Sequence, residues 1–252
     1  MSSTSSLKPI IVWGHLIGPN PIKVRMVLEE LDIPFEFKLV EFPDMKKEPF
    51  LKLNPNGRVP AIEDPNTGLT MWESGPIIEY LIDQYDKDHK LSYGTFKEKY
   101  EIRQWIGFQI SGQGPYYGQA VHFVAIHQLK LPTAVERYMN EVERVRSVLD
   151  LHLSRQAGEK QGKKAKEKEV WLVGNKFTVA DLSFFIWEQI MDFAMTRHGN
   201  RIADGKYPHY EAWYKQIESR PSAQRAIETR NTGLARLMAS GQIPNIGEDK
   251  KE

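Results

Sequence analysis

The sequence contains no cysteine. Disulfides, thiolate metal sites and a nucleophilic thiol of the protein's own are therefore excluded, and any thiol chemistry must use a thiol that a ligand brings. Net charge is almost absent as well. Lys and Arg number 34 against 33 Asp and Glu, a formal +1, so no global field draws the chain to nucleic acid or to an anionic membrane. No stretch approaches the roughly 20 apolar residues that span a bilayer. Met1 to Lys8 is polar and Ser-rich, without the apolar centre of a signal peptide; residues 1–8 and 240–252 read as flexible tails. What remains is a 252-residue chain, 40% hydrophobic and 27% charged, which is ordinary for a soluble protein and long enough for one large core or two modest ones.

The first eighty residues alternate strand and helix signals. Pro9 to Trp13 reads as a buried strand, Gly14 to Pro21 as a loop, and Ile22 to Leu31 as a helix with one apolar face. Pro34 to Phe42 alternates as a half-buried strand does. A short helix over Glu48 to Leu53 leads into the turn Asn54-Pro55-Asn56-Gly57. Val59 to Glu63 and Leu69 to Trp72 form a hairpin through residues 64–68, and Glu73 to Tyr85 is an amphipathic helix. Two strand-helix crossovers followed by a hairpin give a mixed four-stranded sheet. After Asp86 strand signals nearly stop. Asp86 to Thr95 is a polar linker. Helical patterns follow over Phe96 to Leu129 (broken near Gly112 to Pro115), Pro132 to Leu153, Val170 to Gln189 and Tyr207 to Arg220. The basic run from Gly158 to Glu169 reads as a solvated loop, with an anion or nuclear-localisation patch as the sharper alternative.

Three motifs carry chemistry. In Arg58-Val59-Pro60 a proline interrupts a strand pattern. It belongs at a sheet edge or beside a ligand, and the pattern alone does not separate the two. In Glu73-Ser74 a carboxylate and a hydroxyl meet at a helix start, where free N–H groups and the positive dipole end suit a carboxylate. That pairing suits an amino-acid head group, but taken alone a plain helix cap is the commoner reading. In Gly18-Pro19-Asn20-Pro21, between the first strand and first helix, Asn20 is either a turn residue or a donor to a ligand thiolate.

Together these residues resemble the cytosolic glutathione transferases. Asn54 to Ile62 (NPNGRVPAI) and Trp72 to Gly75 (WESG) match the glutathione-binding segments. Val170 to Asp181 (VWLVGNKFTVAD) matches the helical-domain signature, in which Thr178 and Asp181 form a capping box. Pro19-Asn20-x-x-Lys23-Val24, Ser111-Gly112-x-x-Pro115 with Gly118-Gln119-Ala120 and His122-Phe123, and Ala134 to Tyr138 (AVERY) are similar to the fungal nitrogen-regulator (Ure-type) branch. The resemblance implies a thioredoxin-like glutathione-binding domain over 9–86 and an all-helical domain over 95–230. It implies that Asn20 activates the thiol, that Val59 pairs through its backbone with the cysteinyl part beside Arg58 and before a cis Pro60, and that Glu73 and Ser74 hold the γ-glutamyl head. Lys46 or Lys47 would meet the glycine carboxylate. Gln113, Tyr116 and Tyr117 would line a second-substrate pocket. Many relatives carry Ser, Thr or Ala two residues before the asparagine. This chain has Gly18 there and no hydroxyl from Leu16 to Pro21, so thiol activation rests on Asn20 and neighbouring backbone amides.

The implied function is transfer of the glutathione thiolate to a hydrophobic electrophile, with glutathione as co-substrate, no permanently bound cofactor and no metal. The implied setting is a cytoplasmic homodimer with neither nucleic acid nor membrane as partner. Two alternatives accompany it: a disulfide reductase working through bound glutathione, and a non-catalytic glutathione-binding regulator of a protein partner.

Overall fold

The computed structural model describes residues 7–161, 169–197, 199 and 202–241. Most of the two tails and most of the basic run thus lie outside the described residues. Packing divides the chain into two compact units: the residues up to Ile77 together with those from Gln224 on, and Ile78–Ala223.

The first unit is built on four strands, β1 (Ile10–Gly14), β2 (Phe35–Leu39), β3 (Ala61–Asp64) and β4 (Leu69–Trp72), in the order β2-β1-β3-β4. β2 runs parallel to β1, and β3 and β4 are antiparallel to their neighbours, so the sheet is mixed. A parallel pair needs a crossover, and α1 (Pro19–Glu30) supplies it. This helix starts three residues before the apolar spacing predicts. Pro19 at its first position has a preset φ and no N–H to satisfy there, so Asn20 sits inside the first turn rather than in a loop. The β3–β4 hairpin closes through Gly68, whose φ of 75° and N–H to Asp64 O at 2.8 Å make the turn. Ile10, Val12, Val24, Val27, Leu28 and Ile62 form the centre, each without exposed surface. A second cluster of Val40, Met45, Phe50 and Ala61 joins the short α2 (Phe50–Leu53) to the sheet.

The last helix, α9 (Pro221–Ala239), has no counterpart in the sequence expectations. From Gln224 on it belongs to the first unit. Arg225 pairs with Glu29 at 2.8 Å and Arg236 with Glu41 at 2.7 Å. Gly233 lets the backbones close: a Cβ there would stand 2.7 Å from that of Leu16.

The second unit is helical: most of α3 (Ser74–Tyr85), then α4 (Phe96–Phe108), α5 (Gly114–Val121), α6 (Pro132–Gln161), α7 (Val179–Arg197) and α8 (Pro208–Glu218). The break expected near Gly112 to Pro115 is instead a π turn over Gln109–Gln113. It leads directly into α5, where Pro115 sits in the first turn and owes no hydrogen bond. α7 opens with the capping box. The Thr178 N–H donates to Asp181 Oδ2 at 2.9 Å, and Asp181 Oδ1 accepts from Leu172 N–H at 2.9 Å and Trp213 Nε1 at 2.8 Å. One buried carboxylate therefore ties the α7 start to the preceding loop and to α8. Among the described residues no helix is long and apolar enough to cross a membrane.

Candidate functional site

The first unit gathers the expected ligand-facing segments. Asn54 is buried and organises the turn before Arg58. Its Nδ2 donates to Arg58 O at 2.5 Å, and its Oδ1 accepts from Asn56 N–H at 2.9 Å. Gly57 completes the turn with φ 59°, and a Cβ there would meet Met45 O at 2.7 Å. The Val59–Pro60 bond is cis. Val59 packs its side chain on the Val40–Phe50 cluster, which leaves its backbone as the part that can meet a ligand. Arg58 is exposed beside it. The sequence reading gave Asn54 no role, although the turn signal pointed at it.

Glu73 and Ser74 stand at the head of α3. Glu73 has φ 71°, a left-handed conformation that costs a side-chain-bearing residue about 1–3 kcal/mol and clusters at functional sites. Its carbonyl accepts from Ile77 N–H at 3.0 Å, so α3 begins there with the Ser74 and Gly75 N–H groups beyond any intrahelical partner. Ser74 is buried to 5% exposure. Asn56 Nδ2 lies 3.5 Å from Glu73 Oε1, and Lys46 Nζ donates to Asn56 O at 2.6 Å. Lys47 instead pairs with Asp44 at 3.2 Å. Of the two lysines, Lys46 is therefore the one beside this turn.

The loop before α1 is poorer in donors than expected. Gly18 N–H goes to His15 O at 3.1 Å, Ile22 N–H to Gly18 O at 3.3 Å, and Ile17 N–H to His15 Nδ1 at 3.4 Å. Pro19 and Pro21 have none to give. The N–H groups of Ile17, Gly18 and Ile22 are thus engaged within the loop and first turn, and Asn20 follows Pro19 at the start of α1. A Cβ on Gly18 would lie 3.2 Å from Pro21 Cδ, a tight contact. One turn further on, Lys23 is fully buried. Desolvation pushes its pKa down to about 7, against the opposing effect of the Glu73 charge. His15, at the end of β1, is buried and stacked on Phe42 at 4.2 Å. Burial lowers its pKa, although Glu41 at 3.5 Å opposes the shift.

In the second unit the structure corrects the expected second-substrate residues. Gln113 and Tyr117 have no exposed surface and point into the helical interior. Gln113 Nε2 donates to Glu188 Oε1 at 2.8 Å and the Tyr117 hydroxyl to the same oxygen at 2.7 Å. Arg146 Nε at 2.9 Å and the Tyr210 hydroxyl at 2.8 Å donate to Glu188 Oε2. Burial, then the Glu188 charge, pushes both tyrosines well above their ordinary pKa, so both remain donors. Their chemistry is structural. Tyr116, one residue away on the helix, is half-buried, lies 6.5 Å from Tyr138 and has Arg137 over its ring at 5.8 Å; it alone of the three keeps a surface for a ligand. Among the described residues no group of three or more His, Cys, Asp or Glu could hold a metal.

A thioredoxin-like sheet with a cis proline, an acid-serine pair at a helix head and a following helical unit make up the architecture of a glutathione transferase-type protein. The comparisons agree. Residues 17–84 match the glutathione S-transferase N-terminal domain and residues 128–230 the C-terminal domain. The glutathione S-transferase-like protein tpcF of Aspergillus fumigatus is 44% identical over 88% of this chain and 96% of its own. The glutathione transferase URE2P8 of Phanerochaete chrysosporium, solved with oxidized glutathione, superposes with TM-score 0.79 at 36% identity over 92% of this chain and 100% of its own. Ure2p5 from the same organism, cocrystallized with 1-(S-glutathionyl)-2,4-dinitrobenzene, gives 0.78 at 35% over 91% and 98%. The chain belongs to the glutathione S-transferase family, and its homologues are Ure2-type fungal members.

Proposed function

We propose that the chain is a glutathione transferase that adds the thiolate of bound glutathione to a hydrophobic electrophile. The observation that carries this reading is the left-handed Glu73 heading α3 beside the buried Ser74. Glu73 accepts from the γ-glutamyl ammonium, while Ser74 and the first amides of α3 take the α-carboxylate. The Val59 backbone pairs with the cysteinyl peptide, Arg58 lies alongside, and Lys46 meets the glycine carboxylate. Asn20 donates to the sulfur. A free thiol has a pKa of ~8.5, and a donor at a positive helix end favours the thiolate. The sulfur then attacks the electrophilic carbon; a C–S bond forms, the leaving group departs with its electron pair, and the thiol proton goes to solvent. The protein supplies position and electrostatics, since the nucleophile is the ligand's own. Tyr116 is the candidate contact for the electrophile. A cytoplasmic homodimer, with the glutathione-binding domain over 9–86 and the helical domain over 95–230, completes the proposal.

The conjugate held by Ure2p5 supports this reading. The oxidized glutathione held by URE2P8 favours a second, disulfide reduction. There the bound thiolate attacks a substrate disulfide to give a mixed disulfide and one free thiol, and a second glutathione releases the other thiol and oxidized glutathione. Activity assays with an aryl halide and with a small disulfide separate the two. For conjugation, Asn20→Ala removes one hydrogen bond to a charged sulfur, about 1.5–3 kcal/mol, and lowers kcat/KM about 10- to 100-fold. Unchanged conjugation in that variant would show that Asn20 has no part in activating the thiol.

A further inference from the structure

The loop that brings Asn20 to α1 is fixed from two sides. On one side stands His15, buried at the end of β1 and stacked on Phe42 at 4.2 Å. Its Nδ1 accepts from Ile17 N–H at 3.4 Å, so Nδ1 carries no proton and Nε2 does. Nε2 stands 3.5 Å from Glu41, which Arg236 of α9 holds at 2.7 Å. His15 O accepts from Gly18 N–H at 3.1 Å, and Gly18 O accepts from Ile22 N–H at 3.3 Å, at the start of α1. One residue therefore closes the loop through both its ring and its carbonyl, and the loop passes that hold to the first helical turn, where Asn20 lies. On the other side stands Gly233 of α9, buried against Leu16 and Ile17. A Cβ there would lie 2.7 Å from Leu16 Cβ and 3.1 Å from the Leu16 carbonyl carbon. Neither atom is the free end of a side chain, so the loop backbone itself would have to shift. Ion pairs from Arg225 to Glu29 and from Arg236 to Glu41 hold α9 down on either side of this contact.

We propose that His15 and Gly233 are positioning residues for thiol activation, gripping the loop from Leu16 to Gly18 between them and so setting where Asn20 stands. This rests on Asn20 being the donor to the glutathione sulfur. A hydrogen bond weakens steeply as its length and angle depart from the ideal. A donor already in place when the sulfur arrives therefore favours the thiolate more than one that must first be ordered. Both residues act through Asn20. Val59 and the Glu73-Ser74 pair, which grip the rest of glutathione in the proposed function, stand before β3 and at the head of α3. Thiol acidity and ligand binding thus rest on different elements and respond separately.

The test is the pKa of the thiol of bound glutathione, read from the ultraviolet absorbance of its thiolate as pH is varied, beside calorimetric binding of S-methylglutathione. His15→Phe keeps a ring to stack on Phe42 but has no acceptor for Ile17 N–H. Expected is a thiol pKa about 1 higher than in the wild type, a tenfold smaller thiolate fraction at a pH below both values, with S-methylglutathione bound as before. His15→Asn loses the stacked ring but offers Oδ1 to the N–H two residues on, as Asx turns do, and restores most of the thiol acidity. Gly233→Ala is favourable for the helix itself, pushes the same loop from α9 and raises the thiol pKa likewise; it decides the matter even where His15→Phe does not fold. Wild-type thiol acidity in His15→Phe or in Gly233→Ala overturns the inference and leaves thiol activation by Asn20 standing. So does a thiol pKa raised as far in His15→Asn as in His15→Phe, or S-methylglutathione binding lost in step with thiol acidity. A thiol that titrates in the wild-type site as it does in free glutathione removes the activation and the inference together.

Discussion

Glu188→Gln should destabilise the helical unit severely although the two side chains have nearly the same shape. The carboxylate accepts four hydrogen bonds, from Gln113 and Tyr117 on one oxygen and from Arg146 and Tyr210 on the other. An amide has one oxygen. If that oxygen faces Arg146, the new NH2 group meets Gln113 Nε2, and Gln113 cannot turn its amide because its Oε1 accepts from Gln109 at 3.0 Å. If the amide is reversed, NH2 meets the Arg146 guanidinium, which has no acceptor to offer. Either way one buried donor is orphaned, about 1–3 kcal/mol, and Arg146 loses its buried anion. Breaking such a pair costs about 3–5 kcal/mol. Arg146 keeps Asp192 at 2.6 Å, which places the loss near the lower end, about 3 kcal/mol. At about 2–4 °C per kcal/mol for a protein of this size, Tm falls by about 6–12 °C. Urea titration of wild type and variant measures the change, with m constant. A loss under about 1 kcal/mol would refute the reasoning, since it would mean that Glu188 is not the acceptor these four donors share.

Asp181→Ala leaves Leu172 N–H, Thr178 N–H and Trp213 Nε1 without their acceptor in a buried site; a stability loss of about 3–5 kcal/mol by urea titration is expected. His15 has a lowered pKa in the fold, so the unfolded chain binds its proton more readily. Stability from this residue is present above about pH 6.5 and is lost as pH falls below it towards the folded pKa. Replacing His15 with Gln should flatten the pH dependence of Tm between pH 7.5 and 5.5, and an unchanged slope would assign the effect to another group.

The sheet was legible because its signals are local. β1 is a short β-branched run, and the β3–β4 hairpin has its own turn residues. The capping box of α7 is likewise written in four consecutive residues. α9 escaped because the residues it buries at helical spacing, Ala223, Ala226, Gly233 and Leu237, are mostly small and stand among charged residues, and it adds ion pairs to Glu29 and Glu41. Asn20 was legible as a site residue but not as a helical one, since prolines on both sides read as loop. Gln113 and Tyr117 were misread for a different reason. Adjacent aromatic and amide residues near a glycine-rich stretch suggest a pocket, but the direction of each depends on a carboxylate 75 and 71 residues away. Lys23 lay inside the Pro19 to Val24 motif, but its complete burial depends on tertiary packing.

The proposed function rests on Glu73 as the partner of the γ-glutamyl ammonium. Calorimetry comparing glutathione with its glutaryl analogue, which lacks only the α-amino group, tests this directly in wild type and in Glu73→Gln. A charged hydrogen bond of about 1.5–3 kcal/mol predicts that wild type prefers glutathione by about 10- to 100-fold and that Glu73→Gln loses most of this preference. Equal preference in both proteins would place the ammonium elsewhere and contradict the account.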